Sequence, residues 1–103
     1  MDLYSSTKSK MYKEQEDTLN PFGTGDQKVT IRTDYWPGSR IPNLKIAYTE
    51  DGTQILYELY DQNGLLIAGW KLMNGIRYEW VLNDPNDPSK GGDWVEKELL
   101  EED

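Results

Sequence analysis

The sequence predicts an α+β domain: an antiparallel β-meander of about five strands, a C-terminal helix packed on one face, and an N-terminal arm. Three observations predict it. Asp51-Gly52, Asn63-Gly64 and Asn74-Gly75 recur between short alternating runs, which is the spacing of consecutive hairpins. Residues 83–93, "NDPNDPSKGGD", are dense in turn formers and read as a connector. Asp93 and Glu96 then stand at capping-box spacing ahead of Trp94, Val95, Leu99 and Leu100, a helix start with an apolar stripe.

Taken in order, residues 1–27 form the expected arm. Their apolar members (Leu3, Tyr4, Met11, Tyr12, Leu19, Phe22) are too few for a core of their own, although Ser9–Thr18 allows a short helix. Residues 28–103 form a single β-sheet domain. "KVTIRTDYW" (28–36) sets Val29, Ile31, Thr33 and Tyr35 against Thr30, Arg32, Asp34 and Trp36, a strand alternation. "PGSRIPN" (37–43) carries two prolines and reads as a loop.

The expected strands 44–49, 54–61, 65–72 and 76–82 follow, joined by two-residue type I′ turns, which need positive φ at both central residues. Those turns fix the register. Leu44 opposes Leu59, Ile46 opposes Tyr57, and Tyr48 opposes Ile55. On the next pair Leu59 meets Ala68, Tyr57 meets Trp70, and Ile55 meets Leu72. Alternate residues share a face, so one nearly continuous apolar face results, ending in the mixed strand of Arg77, Glu79 and Val81. That face is the expected core, with the helix 93–101 laid on it. The opposite face pairs Lys45 with Glu58, Tyr60 with Ile67, Gly69 with Trp80 and Lys71 with Tyr78. Trp80 there covers a bare glycine, and Lys71 is placed for a cation–π contact.

Composition excludes several chemistries. The chain has 103 residues, the size of one domain. It contains no cysteine and no histidine, which removes thiolate chemistry, the commonest general base near neutral pH and the usual zinc ligands. Net charge is −8, carried mostly by the end of the chain: residues 27–82 are neutral and residues 83–103 carry −6. A nucleic-acid reader would show a basic face, and direct nucleic-acid binding is not expected. There is neither an apolar leader nor an apolar run long enough to span a membrane, so the expected location is cytoplasmic or virion-associated, with no membrane partner.

Residues 83–93 offer oxygen donors suited to calcium, but not at EF-hand spacing, and Pro85 and Pro88 interrupt them. No metal and no cofactor is expected. Glu58 and Glu79 fall on opposite faces, which rules them out as paired catalytic carboxylates, and Ser39 has no base beside it. Catalysis is therefore not expected. Gly64, Gly69, Trp70, Gly75 and Tyr78 keep step with the choline-binding cell-wall repeat, which they resemble over residues 57–80. Arg77 and Glu79 stand where that repeat has Trp and Tyr, and one repeat does not build a site in that family.

The expected function is non-enzymatic: an acidic protein-interaction module. By analogy of size and composition it is a phage-like or mobile-element accessory protein that binds and occludes a host protein. Its candidate contact residues are Tyr60, Ile67, Lys71, Tyr78 and Trp80, because Tyr and Trp dominate interface hot spots. Glu98, Glu101 and Glu102 of the acidic end would steer a basic surface toward them. Two alternatives are a structural subunit of a homo-oligomeric, phage-like particle whose arm contacts a neighbour, and a carbohydrate- or cell-wall-binding module using the same rings.

Overall fold

The computed structural model describes residues 12–97. They form one seven-stranded antiparallel sheet in which every strand lies beside its neighbours in sequence. The strands are β1 (Tyr12–Leu19), β2 (Gln27–Tyr35), β3 (Pro42–Thr49), β4 (Gln54–Tyr60), β5 (Leu66–Met73), β6 (Ile76–Leu82) and β7 (Gly92–Lys97). A 3₁₀ turn at Pro88–Lys90 is the sole helical element among them. The fold is therefore all-β, which overturns the expected α+β meander of five strands with a C-terminal helix.

Both added strands are edges, and each has a physical reason. The stretch expected to open a helix at Asp93 instead pairs with β6, setting Trp94 opposite Trp80, Val95 opposite Glu79 and Lys97 opposite Arg77. Over these six residues the period of two is satisfied by real partners. A helix would have left the β6 ladder unpaired. Residues 98–101 of that expected helix lie outside the described residues. Within the segment expected as an arm, Tyr12–Leu19 pairs along its whole length with β2, from Tyr12 opposite Asp34 to Leu19 opposite Gln27. Its polar sequence, exposed at all positions but Leu19, suits an edge. Lys13, Glu14, Glu16 and Asp17 there disfavour pairing with a further strand.

The central register is as expected: Leu44 opposes Leu59 and Ile46 opposes Tyr57, Tyr57 opposes Trp70 and Leu59 opposes Ala68, and Lys71 opposes Tyr78. The turns differ. Only Asn74-Gly75, with φ of 56° and 83°, is a type I′ pair. At the other two turns positive φ falls on Gly52 and Gly64 alone. There the closing bonds run from Gly52 N to Thr49 O and from Gly64 N to Asp61 O, giving loops one residue longer. That extra residue shifts the first pairs, so Tyr48 meets Gln54 and not Ile55, and Tyr60 meets Leu66 and not Ile67. A β-bulge then restores the register in each hairpin, leaving Ile55 and Ile67 without a cross-strand partner.

Of the residues expected on the core face, only Ile55 and Leu72 take part in the buried cluster. Leu44, Ile46, Tyr57, Leu59, Ala68 and Trp70 share a face and are all only half-buried. The molecule measures 51 × 36 × 20 Å, and its substantial strand contacts join sheet neighbours, so no second layer of described residues lies over that face. Burial concentrates at one end of the sheet, in Val29, Ala47 and the bulged Ile55, with Leu19, Ile31, Leu56 and Leu72 packed against them. A lid closes this end. The loop after β1 crosses to the β5–β6 turn, where Asn74 N–H donates to Asn20 O (2.7 Å) and Gly75 N–H to Pro21 O (2.9 Å), and Pro21 becomes fully buried.

Candidate functional site

The opposite end, built by residues 36–41, 61–65 and 83–91, is open. Residues 36–41 form a rigid loop. Pro37 and Gly38 (φ 72°) occupy the centre of a type II turn closed by Ser39 N–H to Trp36 O (3.0 Å). Trp36 N–H donates to Ile41 O, and Ile41 N–H donates to Ser39 Oγ, both at 2.9 Å. The Trp36 indole N–H reaches across to Asp61 O at 2.9 Å, fixing the ring over the β4–β5 turn. The Asp61 carboxylate in turn accepts from Asn63 N–H (2.8 Å) and Leu65 N–H (3.0 Å), holding that turn shut.

Between these two loops lies a pocket of about 400 Å³ lined by Trp36, Leu59, Tyr60, Asp61, Gln62 and Ile67. Ile67, the bulged residue of β5, lines it beside Tyr60. The Tyr60 hydroxyl donates to Glu58 Oε1 at 2.6 Å. Burial, reinforced by that bond, pushes the Tyr60 phenol well above its ordinary value. The pocket thus presents an indole, aliphatic walls, a tyrosine and the acidic residue Asp61.

Two of the expected contact residues, Tyr60 and Ile67, come together in this pocket. Lys71, Tyr78 and Trp80 form a separate cluster with Trp94, on the face opposite Tyr57 and Trp70. Lys71 Nζ lies 4.4 Å from the Trp94 ring centroid and 5.9 Å from that of Tyr78. Trp80 and Trp94 meet edge to face, 5.4 Å between centroids. The Trp80 indole N–H is bonded to Leu66 O at 3.1 Å. The glycine against its ring is Gly92, where an added Cβ would lie 2.9 Å from Trp80 Cζ2. At Gly69 an added Cβ would meet Tyr57 O at 2.6 Å. Trp80 is therefore tied into the sheet on two sides. Glu98, Glu101 and Glu102 lie outside the described residues.

Trp36, Asp61 and Trp94 were not among the expected contact residues. Trp36 carried a usable signal: a tryptophan closing a strand alternation directly before Pro-Gly sits where a strand end meets a loop. Trp94 carried a competing one, the helix start at Asp93.

No family model, no curated protein and no solved structure matches this chain. No helix among the described residues is long and apolar enough to cross a membrane.

Proposed function

We propose that the protein is a non-enzymatic binding module that seats a large apolar side chain of a protein partner between Trp36, Leu59, Tyr60 and Ile67, and so occludes that partner. The observation that carries this reading is the 400 Å³ pocket, formed on two turns whose own hydrogen bonds hold them in place. A preformed apolar recess takes an anchor residue at little ordering cost. Asp61 in its lining, on a chain of net charge −8, favours a partner segment whose anchor is flanked by Lys or Arg.

The test is capture from a lysate by the full chain, identified by mass spectrometry, with Ile67→Arg as the control bait. Arginine there obstructs the recess and repels a basic partner. The variant is expected to lose the captured protein and to unfold within a few degrees of the wild type. Equal capture by both baits sinks the reading.

A second reading, a subunit of a homo-oligomeric assembly, is favoured by the half-buried face of Leu44, Ile46, Tyr57, Leu59 and Trp70. Both margins of that strip carry charges of both signs: the Arg32–Asp34 pair (2.8 Å) on one side, and Glu79 with Arg77 (3.6 Å) and Lys97 (3.8 Å) on the other. Such an arrangement suits an isologous contact with a second copy. Sedimentation velocity decides it: a concentration-dependent dimer lost in Trp70→Glu supports the assembly, and a monomer at all concentrations removes it.

A further inference from the structure

The rigid loop 36–41 also borders a second recess, through Ser39 and Arg40. It has a volume of about 320 Å³ and is lined by Tyr12, Lys13, Tyr35, Ser39 and Arg40. Its chemistry is opposite to that of the first. On a protein of net charge −8, two cationic residues line one cavity. Among the described residues, ion pairs engage Arg32, Arg77, Lys90 and Lys97, and none engages Lys13 or Arg40. Ser39 adds a third donor. Its oxygen already accepts from Ile41 N–H, which leaves the hydroxyl proton to point elsewhere.

Three donors, two of them charged, match the three terminal oxygens and the charge of a phosphate monoester better than a carboxylate, which offers two oxygens and a single charge. The volume is too large for phosphate alone, being roughly ten times the share of one water molecule. The remaining walls are tyrosine. The Tyr12 ring is held from one side by Arg32, whose guanidinium carbon lies 4.1 Å from its centroid. Asp34 keeps that guanidinium in place through a 2.8 Å bond, which also holds Arg32 in its charged form. A ring braced in this way offers a stacking surface at low ordering cost.

We infer that this recess binds an aromatic ring bearing a phosphate monoester, with Lys13, Arg40 and the Ser39 hydroxyl on the phosphate and the braced Tyr12 ring against the ligand's ring. The site is independent of the apolar pocket and shares with it only the loop that supports both.

Calorimetric titration of the full chain with phenyl phosphate tests it, with phenol and inorganic phosphate as partial ligands. Phenyl phosphate is expected to bind saturably and more tightly than either fragment, and to weaken as salt is raised. Lys13→Gln and Arg40→Gln, both at exposed positions, are each expected to reduce affinity about tenfold with thermal unfolding unchanged. A short phosphotyrosine peptide in place of phenyl phosphate separates two sources of the same group. Tighter binding of the peptide indicates a modified protein segment, and equal binding indicates a free small molecule. Absence of saturable binding by phenyl phosphate, affinity unaltered in both variants, or inorganic phosphate binding as tightly as phenyl phosphate overturns the proposal.

Discussion

Ile55 and Ile67 are the same residue in the same local situation. Each follows a loop closed by a positive-φ glycine, each is the extra residue of a β-bulge, and each restores a register that the loop had displaced. Yet Ile55 is 1% exposed, whereas Ile67 lines an open pocket. What separates them is the end of the sheet on which they fall. At one end the loop after β1 folds over and completes a small core. At the other, two self-bonded loops stand apart and leave a recess. In each hairpin the neighbouring loops decide whether the bulged side chain is covered or lines an open recess.

The largest effect should come from truncating the buried member of this pair. Ile55→Ala is expected to cost about 2–5 kcal/mol, read from the midpoint of urea unfolding, and Ile67→Ala about 1 kcal/mol or less. Equal losses would erase the distinction between the two ends. Next in size is Gly69→Ala, on the strand that carries the Ile67 bulge. A methyl 2.6 Å from Tyr57 O forces the β4 and β5 backbones apart, for an expected loss of about 1–3 kcal/mol, again by urea unfolding. A neutral outcome would mean that the pairing near that bulge yields easily.

The smallest effect concerns the β3–β4 turn beside Ile55. The Asp51 carboxylate is held below its ordinary range, first by the Thr49 hydroxyl and then by Thr53. A depressed carboxylate contributes stability that is present above its unfolded value and is lost as pH falls through its folded one. Asp51→Asn should therefore speed amide exchange at Thr53 near neutral pH and have no added effect in strong acid. The checking measurement is exchange by NMR at both conditions. Identical exchange in variant and wild type at neutral pH would show that the side chain does not hold the turn.

The sequence made the strands β2 to β6, and the central register from β3 to β6, readable because alternation and glycine turns are local signals. It misidentified two turn types, since Asp-Gly and Asn-Gly also suit a longer loop with glycine in the left-handed position, and the compensating bulges left the central pairs unchanged. The edge strands were hidden for a different reason. Tyr12–Leu19 has almost no apolar face to alternate, and Gly92–Lys97 carries a genuine helix-start spacing. Both are strands because a neighbouring ladder offers them partners, and that information lies in other parts of the chain. Tyr60 and Ile67 could be expected on one face from register alone. Their meeting with Trp36 could not, because it depends on where the Pro37-Gly38 turn carries the chain.

The bond from Asn74 to Asn20 has a consequence for how the molecule unfolds. A sheet in which each strand meets only the next resembles a linear array of repeats, able to peel open from either border. Tying the first hairpin to the fifth and sixth strands makes that stretch melt as one cooperative unit. The seventh strand lies outside the tie, so it can detach by itself and expose the flank of Trp80 while the remainder of the sheet stays folded.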